Sequence, residues 1–328
     1  MSATFKAMRV YQEDGRVASR IVTATVEELD AGEVVIKTSY ASVNYKDALA
    51  ITGKGRIVER FPCIAGIDMS GTVESSADAR FKPGDAVTMH GGGLGVKRDG
   101  GLSGCVRVPA DMVIPLPAGL SSFEVSALGV AGYTTAIGVM LCELNGMEPG
   151  NGKVLVNGAT GGCASIAIDI LANKGYHVVA LTGKESSFDY LRSLGAAEVI
   201  SRHGLEMGRR PLEKMQWAAA FDSVGGEQLS WLTRSMQKDG VIASFGNAGG
   251  AEFCTSVFPF ILRGVRLIGV NSDNPPEFRG QVWARLGTDL HPRYLDRIAH
   301  VISIEELPAH CARLVEGGYV GRALVKFP

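Results

Sequence analysis

Through the middle of the chain, short runs of consecutive apolar residues alternate with stretches where apolar residues recur every three or four positions. The run at 154–156 is continuous, which suits a strand buried on both faces. Ala164, Ala167, Ile168 and Leu171 then keep helical spacing until Gly175, and 177–181 is the next apolar run. The alternation goes on with a helix at 186–194 and strands at 198–200 and 218–222. A helix at about 227–236, a strand at 241–245, a short helix at 257–262 and a sixth strand at 265–270 complete it. Strand–helix alternation of this kind predicts the α/β class with a doubly wound parallel six-stranded sheet, whose ligand lies beyond the carboxyl ends of the strands.

The pattern differs on either side. Runs at 7–11, 33–43, 67–75, 86–90 and 105–108 read as strands, parted by turns such as Asp14-Gly15 and Lys82-Pro83-Gly84-Asp85. A glycine-dense loop fills 91–104. Ser121-x-x-Glu124 reads as a capping box opening a helix, and a second helix at about 133–144 leads through Pro149-Gly150 into the alternating region. After a charged, proline-containing stretch at 273–293 come a helix, a short strand near Val301, a helix and a closing strand at 323–327. The expected division is a β-rich domain of residues 1–120 with 294–328, interrupted by a dinucleotide-type domain at 121–293.

The first strand–helix junction carries the chemistry. Gly158, Gly161 and Ala164 recur every third residue between the strand at 154–156 and the helix behind it. A pyrophosphate must approach bare backbone N–H groups at a helix N-terminus, where the helix dipole favours negative charge. Bulk at 158 or 161 would hold it away, and bulk at 164 would push the helix off the strand. At the end of the second strand an NAD site carries an acid for the ribose 2′-hydroxyl. This chain has Thr182-Gly183-Lys184 there, no acid before Glu185, and Arg202 after the third strand, which favours the 2′-phosphate of NADPH.

Composition narrows the classes. The chain has 328 residues, 46% of them hydrophobic, and a net charge of −1, which suits a soluble two-domain enzyme and gives no general attraction to nucleic acid or membrane. No signal-peptide core is read at the N-terminus and no uninterrupted apolar run of bilayer length, so a cytoplasmic protein is expected. The six cysteines are scattered without a Cys-x-x-Cys pair, as in a reduced compartment, and the six histidines show no ligand spacing.

These features together resemble the medium-chain dehydrogenase/reductase superfamily in its zinc-free quinone-oxidoreductase branch. The landmarks are Ser42-Val43-Asn44-Tyr45-Lys46-Asp47-Ala48-Leu49, Pro62-x-x-x-Gly66-Ile67-Asp68 and Phe81-x-x-Gly84-Asp85. Longer strings, from Asn44 to Gly55, Arg210-Pro211-Leu212-Glu213-Lys214 and from Pro259 to Leu267, resemble the acrylyl-CoA reductase family specifically. The resemblance implies a Rossmann NADPH-binding domain, a GroES-like catalytic domain and a homo-oligomer built on a dimer. It also implies NADPH-dependent reduction of acryloyl-CoA to propanoyl-CoA. Carried over residue by residue, the cofactor contacts it implies are Tyr45, Ala159, Thr160, Gly161, Gly162, Cys163, Thr182, Gly183, Lys184, Arg202, Asn247, Ile261, Ser272 and Arg322. Asn247 departs from an apolar residue at its position. Zinc enzymes of the superfamily place a Cys at the position of Asn44 and Gly-His-Glu at that of Gly66-Ile67-Asp68, so no metal is expected.

Without metal, hydride addition to the β-carbon of a conjugated acceptor gives an enolate that the protein must stabilise. Tyr45 is the candidate catalytic donor, or else a packing partner of the nicotinamide. Lys46 and Asp47 read as an ion pair at a helix start, and Arg56, Arg60, Lys97 and Arg98 are candidates for the acidic end of CoA. Two other functions share the pattern: a reductase of quinones or alkenals, and a non-catalytic NADPH-binding protein.

Overall fold

The computed structural model describes residues 4–328. Its contacts divide the chain into two units, one running to Val130 and resuming at Leu295–Pro328, the other Ala131–Tyr294. The first boundary therefore falls about ten residues beyond the expected 120/121. The reason is local: the first turns of helix Ser122–Leu144 are tied to the first unit. Ser70 Oγ donates to the Ser122 carbonyl (2.8 Å), and Ser126 Oγ to the Tyr40 carbonyl (3.2 Å) and Ser70 Oγ (2.8 Å). The capping box forms as read, with Glu124 N donating to Ser121 Oγ (3.2 Å) and Ser121 N to Glu124 Oε2 (2.8 Å). The helix breaks at Gly129 (φ 48°, ψ −152°), which is why the sequence reads as two helices. At 23 residues it is long and apolar enough to cross a bilayer, but most of its apolar side chains from Val125 to Val139 are buried in the protein, as in a core helix.

The second unit holds the parallel sheet. Its strands are Lys153–Asn157, His177–Thr182, Glu198–Ser201, Trp217–Asp222, Met236–Ser244 and Arg266–Gly269. In space they run third, second, first, fourth, fifth, sixth, and all pairs are parallel. Val154, Leu155 and Val156 are fully enclosed, as a strand covered on both faces requires. The fifth strand starts five residues earlier than its apolar run at 241. Trp217 pairs with Met236 and Ala219 with Val241, so 237–240 loops out of register around Asp239 (φ 60°). The stretch at 273–293 contains a helix that its charges conceal, Pro276–Leu286. Its proline sits in the first turn, where no N–H is needed, and it buries Val282, Trp283 and Leu286.

The first unit is antiparallel. One sheet joins Arg16–Thr25, Thr4–Glu13 and Cys63–Ile64; the other runs Ala299–Ile302, Arg322–Lys326, Val34–Val43, Asp68–Ser76, Ala86–His90, Ile114–Pro115, with Cys105–Val108 also on Val34–Val43. Asp14 and Gly15 both take positive φ (49° and 75°), the geometry of a two-residue hairpin turn. The strand Arg16–Thr25 after that turn is absent from the sequence reading, because its mostly half-buried side chains show little alternation. The tail returns as expected: Ala323 pairs with Val43 and Val325 with Ala41, which makes this unit discontinuous.

Two buried groups of this unit couple stability to pH in opposite directions. Burial, then the negative charge of Asp68, raise Asp47 from an ordinary 3.8 to about 7. The folded protein therefore keeps a proton that the unfolded chain releases, and stability falls as pH rises through that window. Burial, then Arg313, lower His310 from 6.5 to about 4, and among the described residues its Nε2 has no hydrogen-bond partner. Here the unfolded chain takes up the proton first, so stability is lost as pH falls from 6.5 toward 4. We expect His310→Phe to remove up to about 3 kcal/mol of that acid loss. Melting temperatures across pH 4–7 check this; an acid limb as steep as wild type would refute it.

Candidate functional site

The crevice of a doubly wound sheet opens where successive crossovers leave in opposite directions, here between the first and fourth strands. The first strand ends at Asn157, and Gly158 turns the chain with φ 56°, a conformation that favours glycine. A side chain there would also run into Ser223 Oγ. Ala159 N donates to the Leu181 carbonyl (3.1 Å) and Gly161 N to the Gly158 carbonyl (2.8 Å), so the turn is stitched to the second strand. Gly161, extended at φ −76°, caps the twelve-residue helix Gly162–Asn173. Ala159 and Thr160 are buried, whereas Gly161 is exposed and Gly162 and Cys163 are half-buried, so the helix start is open to a ligand. Ala164 is wholly buried against the sheet, as close packing at that position requires. The first N–H groups of this helix have no carbonyl within it, and a pyrophosphate fits that cradle.

Two residues absent from the sequence reading organise the crevice. Asn157 Nδ2 donates to Asp222 Oδ1 (2.6 Å) across the ends of the first and fourth strands, and both are fully buried. Asp222 also accepts Val224 N (3.3 Å), Gly225 N (3.1 Å) and Ser244 Oγ (3.0 Å), while Asn157 Oδ1 accepts Ser223 N (2.8 Å). Their signal in the sequence is a polar residue closing each of two apolar runs. Alongside lies a depression of about 530 Å³ lined by Ser244–Asn247 and Gly269–Asn271, which brings Asn247 to this edge. Ser272 follows just beyond the sixth strand.

At the end of the second strand, Lys184 N donates to Thr182 Oγ1 (3.1 Å) and Arg202 N to the Thr182 carbonyl (2.8 Å). Burial, then the charge of Arg202, lower the Lys184 ammonium below its ordinary range. Two cations thus stand close enough to repel. The adjacent acid, Glu185, is engaged by Ser201 Oγ (2.8 Å). An anion between the cations would relieve the repulsion.

Ile261 is placed elsewhere. It lies on the helix Phe258–Arg263, whose Arg263 guanidinium donates to the Arg234, Met236 and Glu213 carbonyls at the opposite, amino end of the strands. Its side chain is 68% exposed, beside Val257, Phe258 and Leu262.

Tyr45 and Arg322 belong to the first unit. Tyr45, 39% exposed, opens the helix Tyr45–Thr52. Asp47 makes no ion pair with Lys46; it is buried and accepts Asn44 N (2.8 Å), Asn44 Nδ2 (3.1 Å) and Ile67 N (3.0 Å). Asp68 accepts Ser42 Oγ (2.5 Å), Asn44 Nδ2 (3.0 Å) and Val130 N (2.9 Å). Arg322, almost wholly buried, donates to Ser42 Oγ (2.5 Å) and stands 4.0 Å from Asp68 Oδ2. Gly129 bends away at this cluster because a Cβ there would overlap Asp68, Ser42 and Arg322.

Of the cations considered for CoA, Arg60 pairs with Asp30 (2.7 Å) and Asp99 (3.6 Å), Lys97 pairs with Glu59 (3.6 Å), and Arg98 donates to Met112 Sδ (3.1 Å). Arg56 is exposed. Among the described residues no three His, Cys, Asp or Glu side chains group as metal ligands.

Comparison with known proteins places this arrangement. The family model described as Alcohol dehydrogenase GroES-like domain matches residues 30–118, and that described as Zinc-binding dehydrogenase matches 162–287. Putative quinone oxidoreductase YhfP of Bacillus subtilis is 44% identical over 99% of this chain and 100% of its own length. Probable acrylyl-CoA reductase AcuI of Escherichia coli is 42% identical over 98% of this chain and 99% of its own. The yhdH oxidoreductase from Salmonella enterica, solved in complex with NADP, superposes with a TM-score of 0.94 at 42% identity, covering 98% of this chain and 100% of that one. Bacillus subtilis yhfP, solved with NAD bound, superposes with a TM-score of 0.94 at 42% identity, covering 99% and 100%. With its α/β sheet, its GroES-like domain and these full-length relatives, the chain belongs to the medium-chain dehydrogenase/reductase superfamily, in the group that holds the acrylyl-CoA reductases and their quinone-oxidoreductase-like relatives.

Proposed function

We propose that this chain is an NADPH-dependent reductase that saturates the double bond of acryloyl-CoA, giving propanoyl-CoA. The observation that carries the cofactor is that Lys184 and Arg202 are both tied to Thr182 at the end of the second strand, with no acid before Glu185, so that a 2′-phosphate there would meet two cations. The substrate rests on the long strings around Tyr45, Arg210 and Pro259 and on the full-length likeness to a protein named acrylyl-CoA reductase. When bound, the nicotinamide supplies a hydride to the β-carbon of the thioester, and the resulting enolate takes a proton at its α-carbon to give propanoyl-CoA.

The chain's own residues have three tasks in this reading. The N–H groups at Gly162 and Cys163 hold the pyrophosphate, with Ala159, Thr160 and Gly161 shaping the turn. Thr182, Gly183, Lys184 and Arg202 hold the 2′-phosphate. Tyr45 donates a hydrogen bond to the developing enolate oxygen, and the Asn44–Asp47 bonds keep its helix start in place. Asn247, Ser272 and Arg322 are assigned as further cofactor contacts.

A quinone reductase is the second reading. It is favoured by the likeness to the putative quinone oxidoreductase and by the carboxylate partners of Arg60 and Lys97, which compete with a CoA phosphate. A homodimer fits either function. The outer strand Arg266–Gly269 pairs on one side only, and Val257, Phe258, Ile261 and Leu262 present exposed apolar surface near it.

With acryloyl-CoA, crotonoyl-CoA, acrolein and a benzoquinone measured side by side, kcat/KM for acryloyl-CoA should lead by orders of magnitude. An equal or better quinone rate would transfer the protein to the second reading. For the cofactor, Lys184→Ala and Arg202→Ala should each weaken NADPH about ten- to a hundred-fold, since a charge-assisted hydrogen bond is worth roughly 1.5–3 kcal/mol. NADH should hardly change, and Thr182→Asp should reverse the preference. Equal weakening of both cofactors would mean that these residues serve the fold or the pyrophosphate instead. For the assembly, Ile261→Glu with Leu262→Glu should give a monomer by sedimentation, and an unchanged dimer would remove that face from consideration.

A further inference from the structure

Two neighbouring residues, one just past the second strand and one just past the third, have an arrangement that the phosphate reading leaves unexplained. Gly183 is one. It is not among the glycines with left-handed φ, so its backbone conformation does not call for glycine. Space does: a methyl group at Gly183 would lie within 3.0 Å of Cδ and Cζ of Arg202 and closer still to Nε. The arginine side chain is laid across the Cα of Gly183.

His203 is the other. Its Nε2 lies 3.0 Å from the Gly183 carbonyl, and because a carbonyl only accepts, Nε2 carries the proton and donates. That carbonyl shares a peptide plane with Lys184 N–H, which donates to Thr182 Oγ1 at 3.1 Å. Both ends of one peptide are therefore held, and with them the direction in which the Lys184 side chain leaves the backbone. His203 is itself anchored, its N–H donating to Ser201 Oγ (3.1 Å) while Ser201 Oγ donates to Glu185 Oε1 (2.8 Å).

We propose that Gly183 and His203 are specificity-determining residues for a 2′-phosphorylated cofactor. Gly183 leaves the space that sets the Arg202 guanidinium over the turn, and His203 fixes the peptide that aims Lys184. Neither role requires contact with the phosphate; both position the cations that touch it. The proposal rests on the 2′-phosphate reading above and adds to it a steric requirement and an anchor.

Dissociation constants of the full chain for NADPH, NADH, 2′,5′-ADP and 5′-ADP test it without any turnover. The atoms nearest to the methyl group of Gly183→Ala belong to the flexible Arg202 side chain, so the melting temperature should stay at the wild-type value. NADPH and 2′,5′-ADP should weaken about tenfold, as for one displaced charge-assisted contact, with NADH and 5′-ADP unchanged. His203→Ala should act in the same direction, and His203→Gln, which keeps an N–H donor, should recover most of the loss. Variants that keep the wild-type NADPH preference, or lose both cofactors equally, would overturn the proposal while leaving the phosphate site standing. A wild-type protein that binds 2′,5′-ADP no better than 5′-ADP would overturn the phosphate site itself, and the proposal with it.

Discussion

A buried carboxylate accepting five hydrogen bonds from four groups holds the carboxyl edge of the parallel sheet together. Asp222 closes the fourth strand, and its bonds to Asn157, Val224, Gly225 and Ser244 join the ends of three neighbouring strands with the loop between two of them. In a site with no water access an unpaired carboxylate would be costly, so the donors are obligatory once the acid is there. The consequence is rigidity at the crevice where crossovers diverge. The loop that Asp222 shapes brings Ser223 against Gly158, and this contact, with the positive φ, confines position 158 to glycine. The open helix start beyond that turn depends on the same bonds.

The second strand's end works by a different principle. Lys184 and Arg202 are placed near one another by backbone bonds to Thr182, and the repulsion between them is tolerated in the folded chain. In the proposed reading this pair of cations is what a 2′-phosphate would meet. The neutral dipeptide Thr182-Gly183 contributes the bonds and the space that place those charges.

The antiparallel unit concentrates its polar groups around Asp68, where two carboxylates, a guanidinium and a hydroxyl are buried and the half-buried Asn44 amide joins them. Burial, then the charge of Asp68, push the Asp47 carboxyl up to about 7. The cluster links the strand ends at Ser42 and Asp68, the start of the Tyr45 helix, the kink at Gly129 and the closing strand at Arg322. Removal of any one of these leaves buried partners unsatisfied, which makes the region sensitive to substitution well away from Tyr45.

The sequence alone determined what depends on short-range pattern. The six parallel strands, the glycine turn, the capping box at Ser121 and the missing acid after the second strand are local in the chain, and each strand contains its apolar run, the fifth beginning five residues ahead of it. The helix Pro276–Leu286 escaped that reading because only one face of it is buried and charge masks the period, and the strand Arg16–Thr25 because its mostly half-buried side chains show little alternation. Tertiary structure alone decided the pairings across long sequence separations. Nothing in the chain's local pattern states that Asn157 meets Asp222, that His203 reaches back to Gly183, that Asp47 turns inward from Lys46, or that the helix carrying Ile261 is tied through Arg263 to the amino end of the strands. Hydrogen bonds and steric exclusion act between groups that folding brings together, whereas periodicity records only which side of an element faces the core.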